Sequence, residues 1–323
     1  MNILLTGVGG FIGYHLCLKL LENSKNKVFG VDNLNNYYDV SLKKNRLKQL
    51  KKFDNFIFKK LDISNNNSLS SSFKKNKYDV VINLAAQAGV RYSIENPKSY
   101  FQSNLKGFFN IMENCRVFKI KHLIHASTSS VYGDTKKYPT KETDNTDNPL
   151  SFYAATKKSN EVMAYSYSNI YKLPITILRF FTVYGPYGRP DMSLFKFTES
   201  IKKNKPINLF NNGDHVRDFT YISDVVQGIT KIISLKSKQK IPYQIFNLSS
   251  NNPKSLKYFL NEIEKNCKKV SRKKLFKLQK GDVYKTHGSN TKLKNFSNFK
   301  PKVKVSEGIN KFVVWFNQYY KDK

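Results

Sequence analysis

The sequence predicts an α/β fold built on one doubly wound parallel sheet, with a smaller, discontinuous C-terminal domain attached to it. Three observations carry that expectation. The chain opens with a strand, a glycine turn and a helix in immediate succession. Short apolar runs then alternate with segments of helical spacing through the first half, the order that sets parallel strands between two layers of helices. After Thr182 the alternation breaks into turns, and one strand-like run returns late, at Gln244 to Leu248.

Asn2-Ile-Leu-Leu-Thr6 is apolar enough for a strand buried on both faces. Gly7-Val-Gly-Gly10-Phe-Ile-Gly13 follows it, and helical spacing runs on from Tyr14 to Leu21. In that context Gly7 permits a tight turn, Gly10 lets the backbone approach a pyrophosphate, and Gly13 allows close helix–strand packing. The anion would sit at the helix N-terminus beside Phe11 and Ile12, where free N–H groups and the helix dipole favour it. The second strand, Lys27 to Val31, ends in Asp32. A carboxylate there accepts hydrogen bonds from both adenosine ribose hydroxyls and repels a 2′-phosphate. The fold is therefore expected to be Rossmann-type and the cofactor NAD, with a glycine-rich turn and a helix-capping Asp as the plainer alternative.

Phe56-Ile-Phe58, Asp79 to Asn83, His122 to Ala126 and Ile175 to Leu178 are the next strands, and Tyr100–Phe118 and Phe152–Tyr171 are the most clearly helical segments between them. Ligands of such sheets bind at the carboxyl ends of the strands. Asp62, Ala85-Ala86-Gln87 and Ser127 to Ser130 follow strands and should line one crevice. Asn65 to Ser72 is expected to be a polar surface segment. Tyr184-Gly-Pro-Tyr-Gly-Arg-Pro190 marks the entry to the second domain. The expected division is 1–184 with 221–251 for the cofactor and 185–220 with 252–323 for the substrate.

Tyr153 and Lys157 stand four residues apart in the second of those helices, on one face. A free tyrosine loses its proton near pH 10, so a phenolate at pH 7 needs a shift of about 3 units, roughly 4 kcal/mol. One ammonium at about 4 Å supplies roughly 4 kcal/mol at an effective dielectric near 20. The pair is thus suited to move the proton of a sugar or alcohol hydroxyl, provided a dinucleotide lies beside it. Tyr-x-x-x-Lys alone is a common chance match; the glycine turn gives it meaning. In Ser127-Thr-Ser-Ser-Val-Tyr-Gly133 the Thr128 hydroxyl is placed to bond the same sugar oxygen, although a Ser/Thr loop is by default a turn.

Together these segments resemble the extended short-chain dehydrogenase/reductase superfamily over essentially the whole chain. The resemblance implies Thr128, Tyr153 and Lys157 as a catalytic triad, with Lys157 also on the nicotinamide ribose. It implies Asn33, Asp62 and Ile63 near the adenosine, Ala85, Ala86 and Gln87 on the cofactor, and Asn104 in the hydrogen-bond network of the site. Within the superfamily, Asp32-Asn-Leu-Asn-Asn-Tyr-Tyr-Asp-Val40, Gln87 to Ser93 and Arg179 to Met192 resemble nucleotide-sugar epimerases, above all the UDP-glucuronate 4-epimerases. That likeness implies a UDP-sugar substrate met by Ser127, Thr128, Ser129 and Thr182, with Arg217 on the diphosphate and Asp282 on the uridine ribose. Thr182 stands where many neutral-sugar enzymes have Asn. Arg189 is expected to clamp a C5 carboxylate through two parallel hydrogen bonds, with a surface cation as the alternative. Related dehydratases carry Asp-Glu after the threonine, and decarboxylating relatives carry Glu in that loop. Ser129-Ser130 here offers no acid for elimination. One departure is Gly288-Ser289, where relatives usually have Ala-Asp.

The chain of 323 residues carries a net charge of +33, which by itself suggests nucleic acid or an anionic surface. The excess is almost all lysine, spread evenly and accompanied by many Asn, Ile and Phe, so it is read as an AT-rich coding bias on solvated faces with no specific nucleic-acid partner. Against that background the seven arginines mark sites needing planar, bidentate geometry. The first strand begins at once, no run reaches membrane-spanning length, and three scattered cysteines suit a reducing compartment. The expectation is a cytoplasmic enzyme without membrane insertion and without a metal; His122 and His125 lie at a spacing that points them to opposite faces of a strand. By resemblance the two long helices pair into a homodimer interface, although an internal core face would give the same pattern. A neutral UDP-hexose epimerase, a dehydratase or decarboxylase, and a noncatalytic binding protein remain the alternatives.

Overall fold

The computed structural model describes residues 1–321. Short apolar runs, buried on both faces except in the edge strand β3, make the strands β1 (Asn2–Thr6), β2 (Lys27–Asp32), β3 (Phe56–Lys60), β4 (Val80–Asn83), β5 (His122–Thr128) and β6 (Ile175–Phe180). Between them lie α1 (Phe11–Leu21), α2 (Val40–Leu50), α3 (Asn66–Lys75), the short α4 (Tyr92–Glu95) and α5 (Pro97–Tyr100), then α6 (Gly107–Val117) and α7 (Phe152–Tyr171). The chain continues through β7 (Thr182–Tyr184), α8 (Ser193–Lys202), β8 (Ile207–Phe210), β9 (Val216–Arg217), β10 (Phe219–Tyr221) and α9 (Ile222–Ile232). It ends with β11 (Tyr243–Leu248), β12 (Lys254–Ser255), α10 (Leu256–Cys267), β13 (Lys273–Phe276), α11 (Thr291–Ser297) and α12 (Val305–Tyr319).

Seven strands form one parallel sheet in the order β11-β6-β5-β4-β1-β2-β3. The order reverses beside β1, and that reversal opens the crevice at the carboxyl edge. Ile3 and Leu5 face one core with α1, α2 and α9, while Leu4 faces the other with α3, α6 and α7, as strand alternation requires. The first core runs without a break into α8, α10 and α12, where Phe219 stacks on Phe259 with ring centroids 3.9 Å apart. The late strand β11 does return to the sheet, beside β6.

Two expectations change. Asn65 to Ser72 is not simply polar surface: Asn65 caps α3 through the Ser68 amide at 3.0 Å, and Leu69 and Phe73 are buried beneath it. Tyr100 to Phe118 is not one regular helix, because Phe101–Lys106 forms a π-helical turn in which the Gly107 amide bonds the Gln102 carbonyl. No helix among the described residues is long and apolar enough to cross a membrane.

The unusual Gly288 has a packing reason. A Cβ there would lie 2.3 Å from the Phe181 ring, while the Gly288 amide and carbonyl are bonded to Asp218 and Ser249. Overfilled cores lose about 1–3 kcal/mol. Gly288→Ala should lower stability by about that amount in urea unfolding, and adding Phe181→Leu should restore part of it. An Ala variant as stable as the parent would exclude this account.

Candidate active site

α1 begins at the glycine turn with no side-chain cap and no acid in its first turn, so its leading N–H groups are left for an anion. Gly7 has φ +73 and approaches the end of β4 so closely that a Cβ would meet the Ala85 amide nitrogen at 2.8 Å. Gly13 is closer still, for a Cβ there would overlap the Gly7 carbonyl oxygen at 2.1 Å. Asp32 accepts the Gly9 amide on one carboxylate oxygen at 3.0 Å and the Leu34 amide on the other at 2.8 Å. That fixes the carboxylate at the crevice with lone pairs free for ribose hydroxyls. Asn33 donates to Asp62 at 2.8 Å, and Asp62 also takes the amide and hydroxyl of Ser64. Burial pushes the Asp62 carboxyl up, but these donors prevail and hold it below its ordinary value. The donor set fits NAD.

The opposite wall belongs to β5 and α7. Ser151 caps α7 by accepting the Ala154 amide at 3.2 Å. The cap aims Tyr153 and Lys157 at the sheet. Lys157 is 2% exposed, and its ammonium donates to the Ala126 carbonyl at 2.9 Å. Burial lowers the Lys157 amine to about 7, against a smaller upward pull from Glu161. Burial also raises the Tyr153 phenol, with the Thr128 hydroxyl and the Arg189 guanidinium offsetting part of the rise. The pocket therefore holds both groups closer to neutral than the simple ammonium argument expects, because desolvation acts on each. Thr128 accepts the Ser130 amide at 3.2 Å and shares the crevice with Tyr153.

The crevice has a volume of about 1050 Å³. Gly7, Gly10, Phe11, Ile12, Gly13, Asp32, Asn33, Asp62, Ile63, Ala85, Ala86 and Gln87 line it on the cofactor side. Ser127, Thr128, Ser129, Tyr153, Lys157, Thr182, Arg189, Arg217 and Asp282 line the remainder. Asn104 does not. Its buried amide bonds both the N–H and the carbonyl of Gln87 and the hydroxyl of Thr156, so it supports the wall from behind.

Two arginines differ from the simple expectation. Arg189 already places Nε and Nη2 on Asp191, at 3.0 and 2.5 Å, so this edge of the guanidinium is not free. Arg217 pairs with Asp282 at 2.8 Å, although the two were expected to hold different parts of a ligand. The sequence reading missed Asp191, and it marked Arg46 only as one of the seven arginines. Fully buried and bonded to no carboxylate among the described residues, Arg46 ties the Gly9 carbonyl to that of Tyr187 at 2.8 and 2.6 Å. Its being an arginine in a lysine-rich chain was the available signal. His122 bonds Thr176 and the Ile233 carbonyl, whereas His125 bonds Asn83 and Asn160. Among the described residues no cluster of His, Cys, Asp and Glu is arranged to hold a metal ion.

A dinucleotide turn and a Tyr–Lys pair opening on one crevice define the class: this is an extended short-chain dehydrogenase/reductase. The model of the NAD dependent epimerase/dehydratase family matches residues 3–249. The chain belongs to that family. Protein CapI of Staphylococcus aureus is 48% identical over 99% of this chain and 100% of its own length. UDP-glucuronate 4-epimerase of Thermodesulfobacterium geofontis is 42% identical, covering 97% of this chain and 95% of its own. The solved structure of UDP-glucuronic acid 4-epimerase from Bacillus cereus, in complex with UDP-glucuronic acid and NAD, superposes with a TM-score of 0.93 at 34% identity, covering 99% and 100% of the two chains.

The low affinity of Lys157 for its proton has a consequence for stability. Between about pH 7 and the unfolded value near 10.4, the unfolded chain holds a proton that folded Lys157 has shed. Stability of the cofactor-free protein should therefore gain from this residue as pH rises through that window, and the contribution should be flat below it. Urea unfolding of the parent and Lys157→Met should show a difference that moves in the parent's favour from pH 7 to pH 9. A pH-independent difference would contradict the shift.

Proposed function

We propose that the protein interconverts UDP-glucuronate and UDP-galacturonate by inverting C4 through a 4-keto sugar. The observation that carries this reading is Arg189, which lines the same crevice as Tyr153 and bears electrostatically on its phenol. A cation there suits a sugar whose C5 substituent is a carboxylate. The full-length relatives named UDP-glucuronate 4-epimerase support the same substrate.

In this reading Tyr153 removes the O4 proton as C4 is oxidised and returns one when C4 is reduced. Thr128 bonds the same oxygen, and the protonated form of Lys157 beneath the pair favours the phenolate. NAD, held by these residues, would supply a hydride acceptor and donor at C4. Asp32 and Asp62 hold its adenosine half, and Lys157 its nicotinamide ribose. Arg217 and Asp282 turn from each other to the diphosphate and the uridine ribose. A grip on the UDP handle alone lets the hexose turn over. Ser129 and Ser130 provide no acid for elimination. Residues 185–220 and 252–321 form the substrate side of the crevice, and 1–184 with 221–251 the cofactor side; 322 and 323 of the expected division lie outside the described residues. We place the enzyme in the cytoplasm, supplying a uronic sugar nucleotide for polysaccharide synthesis. A neutral UDP-hexose epimerase is the second reading, favoured by the charge balance that Asp191 gives Arg189.

A homodimer through α6 and α7 accounts for Phe109, Val117, Val162, Tyr165 and Ile170, which are 45% to 62% exposed. Replacing Phe109 and Val162 by Glu should give monomers in sedimentation velocity; an unchanged sedimentation coefficient would place the contact elsewhere.

Proton NMR of the purified protein with UDP-glucuronate, UDP-glucose and UDP-N-acetylglucosamine in separate tubes tests the substrate. Conversion of the uronate alone is the expected result. Tyr153→Phe should slow it by about 10²- to 10⁴-fold, with the folded circular dichroism spectrum retained. Near-parental turnover in that variant would remove Tyr153 from its role.

A further inference from the structure

The segment between Asp32 and α2 reaches across the crevice to the turn that carries Arg189. Tyr37 donates its hydroxyl to Asp191 at 3.1 Å, and Asp191 in turn accepts Nε and Nη2 of Arg189. Arg46 and Gln49 on α2 hold the same turn through the carbonyl and hydroxyl of Tyr187, at 2.6 and 2.9 Å. Lys43 secures the loop from behind by bonding the backbone and side chain of Asn35, both at 2.7 Å. The carboxylate facing Arg189 is therefore held in place from a separate element. Burial pushes the Asp191 carboxyl up, yet Arg189 and Tyr37 pull it below its ordinary value, so it is charged at neutral pH.

Two facts follow from the chemistry of a guanidinium. It offers two bidentate edges that share one nitrogen, and Asp191 occupies the edge made by Nε and Nη2. Tyr37 also lies against this guanidinium, and among the described residues no carboxylate meets the edge made by Nη1 and Nη2, which is the edge a ligand in the crevice lined by Arg189 would take. A substrate carboxylate on that edge would lie across one guanidinium from the Asp191 carboxylate. The two anions repel, and the attraction of each for Arg189 is reduced.

We propose that Asp191, held by Tyr37, is a positioning residue that shares Arg189 with the substrate carboxylate and so keeps the uronate loosely bound. The inference rests on the uronate reading above. Its value to that reaction is mechanical. A 4-keto uronate must leave Arg189 to present its other face, and a resident carboxylate makes that departure easy, because the guanidinium keeps a partner throughout. An unopposed arginine would hold the sugar in one orientation.

The test is the dissociation constant, KM and kcat for UDP-glucuronate, with the dissociation constant for UDP-glucose as control. They are measured by calorimetry and NMR on the NAD-loaded parent, Asp191→Asn and Tyr37→Phe. Asp191→Asn should tighten UDP-glucuronate about tenfold, lower its KM and lower kcat, while UDP-glucose binding stays within about twofold. Tyr37→Phe should move the same quantities in the same direction by less. Unchanged or weakened uronate binding in both variants, or equal changes for the two sugars, would overturn the proposal. A parent that binds the two sugars equally and does not turn over the uronate would sink the uronate reading first, and this inference with it.

Discussion

The wall that carries Tyr153 and Lys157 hangs on one buried ion pair. Arg179, at the end of β6, sets Nε and Nη2 on the two oxygens of Glu161 in α7, at 2.9 and 2.7 Å, with both side chains 3% exposed. Glu161 also accepts the Ser127 hydroxyl at 2.6 Å, and Arg179 reaches the Tyr132 hydroxyl at 2.9 Å. One cluster therefore joins β6, the Thr128 end of β5 with the loop after it, and the helix holding Tyr153. Removing either partner of such a pair leaves a buried charge, at about 3–5 kcal/mol. Fully satisfied, the cluster gives the helix and the loop a common reference. Glu161 stands one turn along from Lys157, so the same carboxylate that fixes the wall also feeds positive character back into that amine.

Charge in this protein is arranged at two scales. The lysine excess is broad and lies mostly outside. The arginines do local work that a point charge cannot, since a planar fork matches carbonyls and carboxylates in pairs. Arg46 is the extreme case, wholly buried and bonded to carbonyl oxygens and the Tyr38 hydroxyl. It links the glycine turn to the Arg189 turn, so the two sides of the crevice are connected through the protein itself.

Much of the architecture was legible because it depends on residues close together in sequence. The glycine turn, Asp32, the strand cores and the Ser151-capped helix each follow from a few neighbouring side chains. The α3 helix was harder, for Leu69 and Phe73 are its two large buried apolar residues, set among serines and asparagines. Asp191 was invisible for another reason. Its partner Tyr37 lies 154 residues away, and nothing local distinguishes a carboxylate that will meet a guanidinium from one that will meet water. Gly288 was noticed as a departure, but its cause, the Phe181 ring, belongs to a different part of the chain. The burial that raises the Tyr153 phenol depends on the shape of the crevice, which pairwise spacing does not contain.

The π-helical turn at Phe101–Lys106 constrains the chain in a way no single side chain does. Such a turn holds a surplus residue, and an α-helix advances about 100° per residue. Excising one position would rewind the segment and rotate one flank against the other by about that angle. Either Asn104 would leave Gln87, or Phe108, Ile111 and Cys115 would swing out of the core. Substitutions here can be absorbed one at a time, whereas a deletion cannot. Length is thus the inherited property of this stretch, and a homologue that lacked the extra residue would need another way to support Gln87.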